Sequence, residues 1–419
     1  MSERHPLHAG FAKVNITPTE PQGLNLFGMP RQWPGARGVL DDLHARAMYL
    51  ACGDSKFLLI VCDTVHPRTT HPHHLAVIEH LAAYGGIPRD RIWIVATHCH
   101  SAVGEEGRSN PHLRKVANRY RLTLMEKLRR LGEQVIDGAK PAKLGHGEAP
   151  VEDVGTSRRV KLDDGFVITG WGDGPSPPPG ARIVGRGEHD PNVGVVMVRG
   201  LDDEPLGALV SYNSHVHAYP IVYFTSELAG AVCRGLERRF PGATALHTHG
   251  AGGDAALGEN LEPQLPDPEA AAGQHRRVMR QMSRRVVDCI EGVVGQMRFS
   301  TQGRLTAGQV SPSIWNSVDG KIEEPIWAVA INDVALLGEA REMFVAYAQG
   351  LKARSPFRST FVLGLRHTET GSGNSYFPPD HALEEGGYES KRWYEPGAND
   401  RMLDAATKLL TRLHREVSA

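Results

Sequence analysis

The chain has 419 residues, with 47 Lys and Arg against 48 Asp and Glu, and its formal net charge at pH 7 is −1. This balance and an aromatic content of only 6% argue against a nucleic acid as the main partner. Such a partner needs a basic surface or a platform of stacking rings. The 21 histidines raise the expectation of a metal site.

The N-terminal segment, MSERHPLHAGFAKVNITP, has charges and a proline where a signal peptide needs an apolar run. No stretch approaches the roughly 18 apolar residues of a membrane span. The five cysteines are scattered, without a CxxC pair, which is typical of a reduced protein. We therefore expect a cytoplasmic protein without stable membrane association. The oligomeric state stays open.

Short apolar runs and longer amphipathic runs alternate along the chain, which predicts an α/β fold of mixed β-sheets flanked by helices. Strands are predicted at 56–64, 92–98, 193–200, 206–215, 327–338 and 359–367. Helices are predicted at 74–85, 113–138, 227–240 and 269–297. Glycine and proline crowd 171–190 and 371–388, which we interpret as long functional loops. No internal repeat is recognisable, and we predict a single domain over 1–419.

Pairs of histidines two residues apart follow several predicted strands. His98 and His100 end the strand at 92–98, and residues two apart on a strand face the same side. Both rings can therefore enter one pocket as zinc ligands, although a surface pair joined by hydrogen bonds has the same pattern. The pairs His215/His217 and His247/His249 recur at similar transitions, as zinc ligands from separate elements would.

A glutamate pair lies within the run ALLGEAREMFVAYAQGLK. The pattern predicts a strand up to Gly338–Glu339 and then a helix whose first turn holds Glu339 and Glu342. Acidic residues in a first turn are favoured by the helix dipole alone. The alternative is that Glu339, at the strand end, is a carboxylate ligand of a metal. The spacing does not decide between them.

The order of nine short motifs between about residue 9 and about residue 390 resembles the neutral, non-lysosomal ceramidases and their bacterial relatives. These motifs are AKVNITP with LFGMP, DDLHARAMYL, VCDTV, ATHCHS, DPNVGVVMVRGLDDEPLGALVSYNSH, SELAGAV, HGAGGDAA, GEAREMFVAYAQGLK and GGYE. The resemblance implies a ceramidase-like catalytic domain, without the C-terminal immunoglobulin-like domain usual in that family.

The resemblance also implies the roles of particular residues. The zinc ligands would be His98, His215, Glu339 and Tyr376. The catalytic contacts would be His100, Tyr388 and an arginine that most plausibly matches Arg158. The backbone of Gly28 would line the same pocket. His249 has no clear role in that family, and we predict from its position near the motif that it contacts a polar substrate.

The chain departs from the family pattern in the motif HGAGGDAA, where ceramidases have a serine shortly after the Gly-Asp pair. Here GAGGDAALG places Ala255 and Ala256 there, so a serine nucleophile is not available. Cys99 stands between the two histidines of THCHS, and we interpret it as a core thiol and not as a ligand.

These observations favour a zinc-dependent hydrolase that cleaves an amide or lactam bond of a soluble small molecule through a metal-bound hydroxide. Zinc hydroxide also serves an esterase or lactonase, which is the second hypothesis. The third is a binding protein that kept the fold and lost the reaction. The absence of an apolar anchor and the extra histidines favour a polar substrate over membrane-embedded ceramide.

Overall fold

The computed structural model describes residues 4–21, 24, 26, 35–66, 72–104, 111–169, 177–219, 221–258, 261, 264–369 and 375–419. The strands of these residues, in chain order, are β1 His5–Asn15, β2 Gly38–Val39, β3 His44–Cys52, β4 Ser55–Cys62, β5 Ile92–Ala96, β6 Lys140–Pro150, β7 Gly155–Ser157, β8 Arg159–Leu162, β9 Val167–Thr169, β10 Ile183–Arg186, β11 Asn192–Gly200, β12 Pro205–Tyr212, β13 Tyr223–Phe224, β14 Thr244–Thr248, β15 Ala255–Leu257, β16 Gln302–Gly303, β17 Leu305–Val310, β18 Ser313–Asn316, β19 Gly320–Glu323, β20 Ile326–Ile331, β21 Val334–Glu339, β22 Glu342–Met343, β23 Ser359–Leu363 and β24 Tyr376–Phe377.

The α-helices of the described residues are α1 His73–Gly85, α2 Pro111–Asp137, α3 Glu227–Arg239, α4 Pro268–Gly295, α5 Val345–Arg354, α6 Asp380–Glu385 and α7 Ala398–Ser418. Two short 3₁₀ turns cover Arg89–Arg91 and Tyr388–Lys391. The predicted mixed α/β fold is confirmed, and each predicted strand or helix coincides with an observed one. The apolar run 327–338, however, forms two strands, β20 and β21, joined at Asn332 and Asp333.

The same order of elements occurs three times along the described chain, a regularity that is not visible in the sequence. Each unit has three antiparallel strands, then a helix, a fourth strand parallel to the third, and a long helix. The units are β1-β3-β4-α1-β5-α2, β6-β11-β12-α3-β14-α4 and β17-β20-β21-α5-β23-α7.

The three units also share a backbone turn beyond their fourth strand. The second residue after that strand has a left-handed φ in each unit: 63° at His98, 67° at Gly250 and 58° at Leu365. Non-glycine residues adopt this conformation rarely and mostly where surrounding structure enforces it. The loops that leave the fourth strands therefore turn in the same way. Two of these loops supply histidines of the site described below.

The units pack as four layers. Strands of the first two units form one large sheet in the order β14-β12-β11-β6-β1-β3-β4-β5, with β16 added beside β1. The third unit forms the sheet β17-β20-β21-β23. Apolar side chains from both sheets share one core, among them Phe57, Trp93, Leu209, Leu336 and Phe361.

Helices cover the outer faces of both sheets. Helices α1 and α2 pack on the first unit, for example through Leu81 and Leu128. Helices α3 and α4 pack on the second unit, and α5 and α7 cover the third. Successive side chains of each strand point to opposite faces of the sheet. One face packs into the shared core, and the other packs against the helices. No helix among the described residues is long and apolar enough to cross a membrane.

One buried histidine of α4 makes the stability of this fold depend on pH. His275 is fully buried, and burial lowers its pKa to about 4 from the ordinary 6.5. Asp41 raises this pKa, and Arg276 lowers it. The folded chain keeps the imidazole neutral, whereas the unfolded chain binds a proton below pH 6.5. The contribution of neutral His275 to the free energy of unfolding is therefore complete above pH 6.5 and is lost as the pH falls towards 4.

We expect His275→Leu to reduce the loss of unfolding free energy between pH 6.5 and pH 4. The reduction approaches about 1.4 kcal/mol per pH unit, the value for one proton. Urea unfolding at several pH values measures this reduction, and the matched control is His381→Asn, which changes an exposed histidine. Equal pH slopes for the wild type and His275→Leu would contradict the assignment.

Candidate metal and active site

Buried polar side chains from loops at the ends of five strands converge on one point. His66 follows β4, His98 follows β5, His215 follows β12, and His249 follows β14. Glu342 begins β22, three residues after β21 ends. The exposed fraction is 7% for His66 and 4% or less for the other four. Burial of so many titratable groups requires that they be paired or bind a cation.

The ligand atoms of three of these residues form a compact triangle. His98 Nε2 lies 3.2 Å from His215 Nε2 and 3.3 Å from Glu342 Oε2. His215 Nε2 lies 3.6 Å from the same carboxylate oxygen. Zinc bonds of about 2.0–2.1 Å at tetrahedral angles separate the ligand atoms by about 3.3–3.4 Å. The triangle therefore has the dimensions of one zinc coordination face.

Hydrogen bonds fix the orientation of both imidazoles. His98 Nδ1 lies 2.9 Å from the Val65 carbonyl oxygen. His215 Nδ1 lies 2.8 Å from the carbonyl of Gly252 and 2.9 Å from that of Ala255. A carbonyl can only accept, so each Nδ1 donates, and in a neutral imidazole held in this way Nε2 presents a lone pair. Lone pairs facing each other at 3.2 Å repel unless a cation lies between them, so the residues fit a metal ion.

Two further histidines enlarge the donor set. The ligand atoms of His98, His215 and His249 lie within 4.8 Å of one another, and so do those of His66, His98 and Glu342. His249 Nε2 is buried without a hydrogen-bond partner among the described residues. Glu342 Oε2 is likewise without a hydrogen bond there. A buried imidazole nitrogen and a buried carboxylate oxygen in the same cluster, both without a hydrogen bond, are a second sign of a cation site.

The structure brings Glu342, and not the predicted Glu339, into this cluster. Glu339 ends β21, and its carboxyl accepts a hydrogen bond of 2.5 Å from the Tyr347 hydroxyl. Burial raises the pKa of Glu339 to about 8, so the group is mostly a neutral acid near pH 7. The predicted helix does not begin at Glu339 either, since α5 begins at Val345. Glu342 is carried instead by a short strand between the two elements.

Glu342 is the charged member of the pair. Burial acts to raise the pKa of its carboxyl, but the imidazoles of His98, His66 and His249 lower it to about 2. Burial lowers the pKa of His215 and of His249 well below the ordinary range, so both rings are neutral near pH 7. Neutral imidazoles with one carboxylate are a donor set typical of zinc.

His100 lies beside the triangle and belongs to neither group of converging ligand atoms. Its Nε2 is 3.3 Å from His98 Nε2, and its ring stacks on that of His217 with centroids 4.1 Å apart. Glu227, the first residue of α3, anchors this loop. Its carboxyl accepts hydrogen bonds from the His100 backbone N–H at 3.2 Å and from the Ser101 hydroxyl at 2.6 Å.

Arg158, Tyr376 and Tyr388 lie on another side of the cluster. Arg158 Nη1 is 3.2 Å from His215 Nε2, and the buried guanidinium also pairs with Glu389 at 2.7 Å. Tyr376 pairs with Glu342 across β22 and β24, and its ring centroid lies 5.1 Å from Arg158 Cζ. The ring of Tyr388, which is 43% exposed, lies 5.7 Å from that of Tyr376.

The remaining predicted residues divide into three kinds. Cys99 is buried, and its thiol donates a hydrogen bond to the Thr225 carbonyl. His247 is buried within β14, two residues before His249, and it belongs to neither group of ligand atoms. Gly28 lies outside the described residues. His66 and Glu227 are not among the predicted residues, although His66 follows an apolar strand as His98 does.

A glycine keeps Glu342 in place. A Cβ at Gly253 would lie 2.6 Å from the Glu342 carbonyl oxygen and 3.0 Å from that of Met343. Both are backbone atoms and cannot rotate away. Gly253→Ala should therefore displace β22, lower the unfolding free energy by about 1–3 kcal/mol and weaken metal binding.

The matched control is Gly273→Ala in α4, where a Cβ meets nothing within 4 Å. This variant should gain about 0.5–1 kcal/mol from helix propensity and keep the metal affinity. Denaturant unfolding and zinc titration of both variants test the contrast. A Gly253→Ala protein with wild-type zinc affinity would show that β22 does not depend on this contact.

Comparison with solved structures identifies the fold. The chain superposes on neutral ceramidase from Pseudomonas aeruginosa with a TM-score of 0.73 at 15% sequence identity, covering 99% of this chain and 75% of that chain. A structure described as a ceramidase complexed with C2 superposes with a TM-score of 0.73 at 14% identity, covering 99% and 76%. No protein-family model matches the chain. No curated protein matches it. The fold is therefore ceramidase-like, as predicted, with a buried His/Glu cluster able to hold a metal.

Proposed function

We propose that the protein is a zinc-dependent hydrolase that cleaves an amide or lactam bond of a small, polar, water-soluble molecule. The observation that carries this proposal is the triangle of His98, His215 and Glu342. Its distances of 3.2, 3.3 and 3.6 Å match a zinc coordination face, and the carbonyls bonded to both Nδ1 atoms leave both Nε2 atoms to act as ligands. Glu342 takes the role predicted for Glu339. Tyr376, which lies on β24 and pairs with Glu342 on β22, is the proposed fourth ligand.

Zinc held by these residues would supply a Lewis acid that polarises the scissile carbonyl and lowers the pKa of a water molecule to about 7. The protein contributes orientation. Carbonyls of Val65, Gly252 and Ala255 fix the two imidazoles before the ion arrives, and such outer contacts typically change metal affinity by about 10–100-fold.

Arg158 and Tyr388 are the proposed contacts for the oxygen that becomes negative as the carbonyl is attacked. Arg158 Nη1 lies 3.2 Å from His215 Nε2, and this contact supports its assignment as a donor beside the proposed metal. The ion pair with Glu389 holds this guanidinium in place. A donor of this kind contributes about 3–4 kcal/mol to the stability of the transition state.

His100 is the proposed proton carrier. The nitrogen that faces His98 is 3.3 Å from a proposed ligand atom, so a substrate held at the metal lies within its reach. Burial lowers the pKa of His100, and the neighbouring His217 lowers it further. The ring is therefore neutral and able to accept a proton. Stacking on His217 and the bonds of Glu227 to this loop hold the ring at that position.

The absence of a serine nucleophile supports direct attack by water. Ala255 and Ala256 open β15, and the carbonyl of Ala255 orients His215. No hydroxyl therefore stands at the position where the resemblance to ceramidases predicts one. A polar substrate is favoured because His100, His217 and His249 add polar side chains around the cluster.

The substrate proposal is tested by competition in one assay. Metal-loaded protein is given a long-chain ceramide in detergent together with water-soluble amides, lactams and esters. We expect a small amide or lactam to have the highest kcat/KM. Ceramide ahead of every other compound by an order of magnitude would overturn the substrate class. Esters ahead of every amide would make the protein an esterase.

A further inference from the structure

A cavity of about 500 Å³ lies at the end of β5 away from the metal site. Arg89 and Asp90, which precede β5, line one side, whereas His98 follows β5. The opposite side comes from the third unit and includes Trp327, Arg366 and His367. The cavity thus opens between two of the three repeated units and shares none of its lining residues with the metal cluster.

Arg366, inside this cavity, is a buried cation that pairs with no carboxylate among the described residues. It is 3% exposed, and its guanidinium carbon lies 3.6 Å from the centroid of the Trp327 ring. Its Nη1 donates to the His367 carbonyl at 2.9 Å, and its Nη2 has a longer contact of 3.4 Å to the Asp90 carbonyl. Its Nε has no acceptor in the part of the chain that the structure describes.

Other buried arginines of the described chain each contact a carboxylate. Arg46 pairs with Asp63 at 2.9 Å, Arg158 with Glu389 at 2.7 Å, and Arg341 with Glu324 at 2.7 Å. An unpaired buried charge costs several kcal/mol, so proteins rarely retain one without a ligand. Burial lowers the pKa of Arg366 well below the ordinary range, although the charges of Asp90 and Glu369 act to raise it.

The outer part of the cavity carries the opposite charge. Asp90 and Glu323 line it and are exposed to solvent. Glu369 also lines it, and it is paired with Arg89 at 3.2 Å. An anion alone would meet Arg366 inside but repulsion from Asp90 and Glu323 outside. A ligand with a carboxylate at one end and an ammonium group at the other satisfies both ends.

We propose that this cavity binds a small zwitterion of the amino-acid type. Its carboxylate accepts hydrogen bonds from the Arg366 guanidinium, and its ammonium group lies between Asp90 and Glu323. The Trp327 ring holds the guanidinium flat, so that its edge faces the ligand.

Glycine is the probe for a calorimetric titration, with thermal unfolding as the second readout. We expect glycine to bind and to raise the melting temperature. Arg366→Met keeps the length of the side chain over Trp327 but removes the charge, and should weaken binding about ten- to hundredfold, as loss of a charged hydrogen bond does. Wild-type protein that gives no response to glycine, or Arg366→Met that binds equally well, overturns the proposal.

Two controls distinguish this site from metal chelation and from simple anion binding. Glycine also chelates metal ions, so Glu342→Gln, altered in the proposed metal site, should bind glycine as the wild type does. Loss of binding in this variant would move glycine to the metal. Acetate should bind more weakly than glycine, and the paired exposed changes Asp90→Asn and Glu323→Gln should remove that difference. Acetate binding as tightly as glycine in the wild type would refute the ammonium site, even if Arg366→Met failed to fold.

Discussion

Glu342→Gln will lose zinc and amide hydrolysis together, whereas Glu339→Gln will keep its zinc. Glutamine preserves the shape of the side chain but removes the negative charge of the carboxylate, which the two imidazole ligands cannot supply. Loss of a direct ligand should lower zinc affinity by more than about 100-fold, the upper end of the loss from outer contacts. Zinc analysis of the purified proteins and a competitive chelator titration measure the effect.

Glu339→Gln is the matched variant, because Glu339 lies only three residues before Glu342 but outside the cluster. Glu339 is a mostly neutral acid bonded to Tyr347, and its pKa is raised to about 8 by burial. Its replacement by glutamine keeps a hydrogen-bonding group of the same size. Full zinc occupancy in Glu342→Gln, with zinc lost from Glu339→Gln, would restore the ligand that the sequence resemblance implied.

His100→Ala will retain zinc and lose rate, whereas His98→Ala will lose both. His98 and His215 form two corners of the triangle, with their Nε2 atoms 3.2 Å apart. His100 lies beside the triangle and stacks on His217. Loss of a general acid–base group should reduce kcat by about 10²–10⁴-fold. Zinc content, kcat and KM of both variants are the measurements.

His217→Ala is the control, because it removes the stacking partner of His100 without removing the proposed proton carrier. It should lower kcat less than His100→Ala does and leave zinc bound. Loss of zinc from His100→Ala would make His100 a ligand. An unchanged kcat in that variant would remove it from the reaction.

The fold class and most elements could be predicted because their apolar periods are strong. The run at 92–98 and the helix at 269–297 are found almost at their observed limits, at Ile92–Ala96 and Pro268–Gly295. Strand β6, with the sequence KPAKLGHGEAP, was missed because its prolines and glycines are typical of a loop. Its neighbours β1 and β11 supply the pairing that its own composition does not predict.

The threefold repeat was missed because it is a repeat of topology. Each unit keeps the strand order and the left-handed turn, but the residue in that turn is His98, Gly250 or Leu365. Side chains at these positions serve the site in one unit and packing in another. The shared backbone of the units therefore does not require similar sequences at these positions.

The convergence of the histidines was predicted from strand ends, but the physical reason differs. His98 and His100 were expected to share a face of an extended strand. The strand ends at Ala96, and His98 has a φ of 63°, so a turn brings the two rings together. The choice between Glu339 and Glu342 needed the length of β21, which fixes where the chain leaves the sheet. Spacing along the sequence does not contain that length.

If one metal ion in the cluster of His98, His215 and Glu342 makes this protein an amide hydrolase, activity must follow the zinc content of the protein. The most direct test is the rate of hydrolysis of the best amide or lactam as zinc is added back to chelator-treated protein. We expect negligible hydrolysis without zinc and a linear rise that ends at one ion per chain. Undiminished hydrolysis by protein shown to contain no metal would contradict the proposed function.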